Sequence, residues 1–298
     1  LRPNEEKLAY SVIFTMNEKA EVKKFDITRA VIKSDRRFTY EEVQEIIEKG
    51  EGEYYEEIST LNRLAQKMRE KRFTAGAIDF QQAQVHFRLD ESGKPLSVYF
   101  SESNESHQLI EEFMLLANKT VARESGCVSG KKKAKAFVYR VHEDPDPEKL
   151  AQLAKQSRVF GYKVKDTGSA RDVNRSINRM LKELKGKGEE NFLATLAIRS
   201  MAKAIYTTVN VGHYGLGFEY YTHFTSPIRR YPDMLVHRLL EKYLNGGRSV
   251  NVDKLEDLCK HSSSMEQLAA NAERASIKYK QVEFLADHLG EVFDGVIS

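Results

Sequence analysis

The apolar residues of this chain change their period along its length, and that change limits the folds open to it. Over residues 8–33 polar and apolar residues alternate, with Val22, Phe25, Ile27 and Val31 as strand positions. A second alternating pair of runs, Val85, Phe87, Leu89 and Leu96, Val98, Phe100, flanks Asp90-Glu91-Ser92-Gly93-Lys94-Pro95, a hairpin signal. Elsewhere the spacing is helical. Thr39 is placed to cap a helix from Tyr40 to Lys49, stopped by Gly50. A longer helix is expected over about 54–72, with Ile58, Leu61, Leu64 and Met68 inward and Gly76 at its exit. Residues 104–126 are amphipathic, with Leu109, Ile110, Phe113, Leu116, Ala117 and Val121 inward. Asp144-Pro145-Asp146-Pro147 opens a helix over 148–156, and further helices are expected over 171–185 and 189–208. One or two more cover 252–289, with Leu255, Leu258, Met265, Leu268 and Ala272 in register. No linker-like composition or repeat divides the chain. The pattern predicts one mixed α/β (α+β) domain, strands early and helices late.

Composition narrows the partners. The chain has 298 residues, of which 41% are hydrophobic and 31% charged, enough for a real core. Its net charge is only +3, so any case for nucleic acid rests on a local groove and not on bulk charge. Cys127 and Cys259 lie far apart with no CxxC spacing. That argues against a disulfide framework or zinc knuckle and fits a reducing, cytoplasmic compartment. No apolar run approaches membrane-spanning length. The chain starts at Leu1 without methionine and stops at residues 290–298, where a new strand is expected to begin, which reads as a piece of a longer polypeptide.

The densest chemistry lies in Tyr220-Tyr221-Thr222-His223-Phe224-Thr225-Ser226-Pro227-Ile228-Arg229-Arg230-Tyr231-Pro232-Asp233. Ser226 is placed to cap a turn with Pro227 at its first position, and Pro232 and Asp233 open a helix that stops at Asn245-Gly246-Gly247. A helix start favours anions, and an arginine beside it adds a planar fork suited to phosphate. Two readings stay open from the residues alone: a phosphate-gripping corner, or a structural start in which an arginine pairs with Asp233. Histidines 213, 223 and 237 match no metal-binding spacing and read as core.

The stretch from Gly215-Leu216-Gly217-Phe218 to Arg238 resembles the signature of the ribonuclease II and ribonuclease R family of 3′-to-5′ exoribonucleases. The form Arg229-Arg230-Tyr231-Pro232-Asp233 brings it nearer to the ribonuclease R branch. The resemblance implies an RNB-type catalytic domain with a strand-rich part feeding a helical shell around an RNA channel. It implies processive release of nucleoside 5′-monophosphates from single-stranded RNA by a monomeric enzyme, with Arg229 on a phosphate and Arg230 in a structural pairing.

Other segments carry the same resemblance. In His107-Gln108-Leu109-Ile110-Glu111-Glu112-Phe113-Met114-Leu115-Leu116-Ala117-Asn118, Glu111 matches the glutamate that holds the 3′-terminal nucleotide, and Glu112 is a weaker candidate beside it. Read alone, both glutamates simply face solvent. Phe80 in Gly76-Ala77-Ile78-Asp79-Phe80 matches an aromatic that clamps terminal bases; read alone it is core. Tyr40 in Phe38-Thr39-Tyr40-Glu41-Glu42 matches an RNA-contacting tyrosine, and Glu273 in Ala272-Glu273-Arg274-Ala275-Ser276 a ribose-contacting glutamate. Arg140 and His142 look like an Arg-Val-His segment near the channel. The basic run Gly130-Lys131-Lys132-Lys133-Ala134-Lys135 is solvated surface or an RNA-steering loop. The family's magnesium ions are held by closely spaced aspartates, whereas Asp26, Asp35, Asp79, Asp90, Asp166, Asp172 and Asp233 stand apart. The resemblance therefore implies Mg²⁺ with ligands upstream of Leu1. It makes residues 1–289 the later part of the catalytic domain and 290–298 the first strand of an S1-type RNA-binding domain. A non-catalytic RNA-binding module is the alternative.

Overall fold

The structure, a computed structural model, describes residues 2–80, 84–101, 103–126 and 134–293. Two long strands open it: β1 (Glu6–Met16) and β2 (Val22–Lys33) pair antiparallel, with Val12 opposite Ile27. The hairpin is tied to the body through one carboxylate: Glu241 accepts from Tyr10 Oη at 2.6 Å and from Arg29 Nε at 2.8 Å. Ile27 enters the core from this hairpin.

Three helices then form a corner. α1 (Tyr40–Lys49) carries a full capping box: Thr39 Oγ1 accepts from Glu42 N, and the Glu42 carboxylate accepts from Thr39 N. α2 (Tyr55–Ala75) stops at Gly76, whose φ of 112° lies in the left-handed region. A side chain at Gly76 would be strained and would stand 3.2 Å from the Arg171 backbone. The buried stripe of α2 is Ile58, Ala65 and Arg72, and Leu61, expected inward, is 41% exposed. After the hairpin of β3 (Gln84–Leu89) and β4 (Pro95–Ser101) comes α3 (Glu105–Gly126), capped by Asn104. It buries Leu109, Leu115, Leu116 and Val121, while Ile110 points out.

The second half is mostly helical. α4 (Pro147–Val159) starts at Asp146, whose carboxylate accepts from Glu148 N and Lys149 N. α5 (Ala170–Leu184) and α6 (Glu190–Ser200) pack with it around Leu153, Ile177, Met180 and Leu193. The helix expected over 189–208 stops at Ser200. Residues beyond it form β6 (Ile205–Thr207), which pairs with β5 (Tyr139–Val141), two strands absent from the sequence expectation. α7 (Tyr231–Leu244) and α8 (Val252–Ala286) complete the larger core, in which Phe137, Val138, Tyr206, Phe224, Val236 and Leu255 meet. α8 is a single helix. Of its expected inward residues only Leu255 is buried; Leu258, Met265, Leu268 and Ala272 are exposed. The mixed α/β (α+β) class read from the sequence is what the structure shows. Among the described residues no helix is long and apolar enough to cross a membrane. Residues 290–293 carry no strand, and 294–298 lie outside the described residues.

Candidate functional site

The arginine-bearing corner is built from α3 outward. Asn118, buried on α3, donates from Nδ2 to Tyr221 Oη at 3.2 Å and accepts from Phe224 N at 3.0 Å. Thr222 Oγ1 donates to the Val138 carbonyl at 2.7 Å, and the His237 ring meets the Phe224 carbonyl at 2.8 Å. The chain then turns: the Ser226 carbonyl accepts from both Arg229 N and Arg230 N. No helix begins at Pro227, and the Ser226 side chain is not the cap. The capping comes from the other direction. Asp233, fully buried in the first turn of α7, accepts from Ser226 N at 2.7 Å and from the Arg230 guanidinium at 2.8 Å. The two arginines therefore differ. Arg230 is spent closing the corner, and Arg229 is exposed with no ion-pair partner among the described residues.

Histidines line the inner side of this corner as neutral groups. His223 Nδ1 lies 2.8 Å from Tyr206 Oη, and burial, with Arg230 and Arg140 nearby, pushes its pKa down to about 2. His213 is pushed down to about 3, again chiefly by burial. His142 is fixed in one tautomer: Nε2 faces the Ala202 carbonyl at 2.8 Å and so must donate, and Nδ1 accepts from Gly215 N at 2.8 Å. Among the described residues no three His, Cys, Asp or Glu side chains converge as metal ligands. The described residues thus do not form a site for the magnesium that the resemblance implies.

Two turns of α3 before Asn118 lies a charged cluster. Arg72, buried on α2, donates from Nε and Nη2 to Glu112 Oε1 at 3.0 and 2.5 Å, and from Nη2 to Glu111 Oε1 at 3.2 Å. Arg69, one turn earlier, stands 3.8 Å from Glu111 Oε2 and 3.4 Å from Asp79 Oδ1. Both guanidiniums lie over the Phe73 ring. The pattern separates the adjacent glutamates: the Glu112 side chain is 3% exposed and that of Glu111 is 45% exposed. Glu112 does not face solvent, because Arg72 pairs with it in the interior. Glu111 keeps an open side and is held in place by two arginines. Arg69 alone of the two also meets Asp79, and so brings it, and with it the Phe80 segment, beside Glu111. That segment is fixed by Asn178, which accepts from Asp79 N at 3.0 Å and donates to the Ala77 carbonyl at 2.7 Å.

The remaining candidates fall into two groups. Tyr40 is 44% exposed, and Glu273 is exposed on α8. Phe80 is half-buried, its ring packed against the core of α4, α5 and α6. Arg140 is not open: it donates to Glu266 on α8 at 2.5 Å and lies 4.6 Å over the Tyr206 ring. Glu112 and Arg140 are thus internal ties of the fold. The lysines 131–133 lie outside the described residues. Arg69, Arg72 and Asn118 shape the site and were not singled out for that role from the sequence, whereas the pairing of an arginine with Asp233 is one of its two open readings, and Arg230 makes it. A signal did exist for Arg72, which continues the seven-residue spacing of Ile58 and Ala65.

A cleft of about 1030 Å³ opens between the β1–β2 hairpin, α2, α3 and the 217–220 segment. The Arg72–Glu112 pair lines it together with Lys71, Lys119 and Phe218; Arg229, Tyr40, Phe80 and Glu273 do not. Burial pushes the Lys119 pKa down, and its ammonium stands 5.2 Å from the Phe218 ring.

The chain is similar along nearly its whole length to known ribonucleases. Ribonuclease R of Aquifex aeolicus is 37% identical over 308 residues, covering 100% of this chain and 43% of the relative. Ribonuclease R of Thermotoga maritima is 36% identical, covering 98% of this chain and 42% of the relative. The chain spans less than half the length of these relatives. The structure of Mycoplasma genitalium RNase R in complex with ribose-methylated single-stranded RNA matches with a TM-score of 0.85 at 25% identity, over 97% of this chain and 46% of that one. Yeast Ssd1, a pseudonuclease, shares the fold with a TM-score of 0.67 at 21% identity, over 88% of this chain and 32% of that one. The RNB domain pattern matches residues 1–246, so the chain belongs to the RNB domain family.

Proposed function

We propose that this chain is the RNA-gripping part of a 3′-to-5′ exoribonuclease that shortens single-stranded RNA to nucleoside 5′-monophosphates. The observation that carries the reading is the division of labour at the corner. Asp233 holds Arg230, which leaves the Arg229 guanidinium open for a phosphate, while Glu111 is held by Arg69 and Arg72 with one side exposed. An arginine beside a phosphate stabilises charge that develops as the ester breaks. Glu111 accepts hydrogen bonds from the terminal ribose, Phe80 stacks on a base, and Tyr40 and Glu273 line the path. Magnesium belongs to the reading as the cofactor of the whole enzyme, where it would supply the activation of water. The parent enzyme is, on this reading, a cytoplasmic monomer.

A non-catalytic RNA-binding role is the second reading. On it the open Arg229 and Glu111 hold RNA without cutting it. One assay tests both: release of nucleoside monophosphates from labelled single-stranded RNA, with and without Mg²⁺, by residues 1–298 and by the complete polypeptide. The proposal expects release from the complete polypeptide alone, abolished by a chelator. No release from either would leave the binding role.

A further inference from the structure

Tyr40, the first residue of α1, does not stand alone. Its ring lies on that of His107 in α3, with centroids 4.0 Å apart and planes 14° from parallel. His107 is itself fixed from the side. Its Nδ1 is 2.5 Å from Asn104 Oδ1, the same oxygen that accepts from His107 N at 3.3 Å and from Ser106 Oγ at 2.7 Å. A backbone N–H only donates, so that atom of Asn104 is the oxygen, and His107 Nδ1 carries a proton toward it. The helix cap and the ring orientation are one device. A second tie joins the two helices: Ser106 N donates to Gln44 Oε1 of α1 at 3.2 Å.

A ring covered on one face has one face left to offer, and Tyr40 remains 44% exposed. His107 and Glu111 are one helical turn apart, so the stacked pair and the open carboxylate share a face of α3. We infer that His107 is a positioning residue: it covers one face of Tyr40, and a base of single-stranded RNA adds as a third layer on the other. Every base has a π-face, so the layer accepts any sequence. This role goes to a residue that makes no contact with RNA itself, and it rests on the RNA-binding reading above.

The test uses residues 1–298 and a single-stranded RNA 12-mer in which one 2-aminopurine is stepped along the strand; stacking on an aromatic ring quenches its emission. Thermal unfolding of each variant is followed in parallel. The intact chain is expected to quench at a defined position. Tyr40→Ala and His107→Ala are both expected to lose that quench and bind about fivefold or more weakly, on the scale of one lost stack. His107→Phe, which keeps a ring under Tyr40, is expected to restore both. Full quench by His107→Ala overturns the inference and leaves RNA binding standing. Loss in His107→Phe equal to that in His107→Ala, with unfolding unchanged, also overturns it, because the stacked ring is then not what matters. A folded intact chain that binds no RNA at low salt overturns the RNA-binding reading and this inference with it.

Discussion

Two adjacent arginines, identical in chemistry, are set apart by one buried carboxylate. Arg230 closes the corner through Asp233, and Arg229 faces solvent. In the complete polypeptide, Arg229→Ala is expected to lower turnover by roughly 10²–10³ with little change in RNA affinity, as for loss of a donor that acts in the transition state. Arg230→Ala is expected to show itself first as a lower unfolding midpoint, because it strips the partner from a fully buried aspartate. Steady-state kinetics and urea unfolding on both variants separate the roles; greater damage to turnover from Arg230→Ala would reverse the assignment. The adjacent glutamates divide in the same way. Glu112→Ala leaves Arg72 without its main buried partner and is expected to destabilise by roughly 3–5 kcal/mol. Glu111→Ala removes a half-exposed carboxylate and is expected to cost about 1 kcal/mol or less. Equal urea midpoints for the two would refute that split. The sequence places both glutamates on one helix but is silent on which is inside. The answer depends on Arg72, a charged residue in a buried stripe, and only its pairing makes that burial tolerable.

At the scale of elements, legibility followed local chemistry. The Thr39 capping box, the Asp146 cap and the Gly50 and Gly76 stops lie within a few residues of the helices they define, and α1, α4 and α7 emerge near their expected bounds. β5 and β6 were not legible, because strands of three residues hold no period and exist through their mutual pairing. The stripe on α8 misled because Leu258, Met265, Leu268 and Ala272 stay exposed while the helix buries Leu255, Cys259 and Ser262 instead, so spacing alone put them inside. The 205–224 region carries a pH signature. His213 and His223 have folded pKa values near 3 and 2, against about 6.5 in the unfolded chain. The unfolded state then binds the extra protons, so stability is full above pH 6.5 and falls as pH drops below it. The slope approaches about 1.4 kcal/mol per pH unit for each ring. Urea midpoints at pH 5, 6 and 7 are expected to fall toward acid, and His223→Phe is expected to flatten the trend. An unchanged slope in that variant would show that the proton uptake lies elsewhere.

For the molecule as a whole, the net charge of +3 leaves RNA attraction to local groups. Binding of single-stranded RNA by residues 1–298 is expected to weaken with salt, log Kd rising linearly against log salt with a slope set by the few phosphates engaged, about 0.7 per phosphate. A salt-independent Kd would point to stacking alone. The long helix α8 adds a mechanical consequence. At 35 residues it is about 50 Å from end to end. It is anchored near its start, where Glu256 accepts from Thr207 and Thr208 and Ser263 Oγ accepts from Tyr206 N, and near its end, where Lys280 donates to the Gly93 carbonyl and Asp287 pairs with Lys94. The first support extends to Glu266 and Gln267, held by Arg140 and Lys203; from there to Lys280 the helix runs mostly exposed, a beam resting on two supports. The β3–β4 turn is thereby held at a fixed span from the larger core, and a load applied at either support is felt at the other, with Glu273 riding between them.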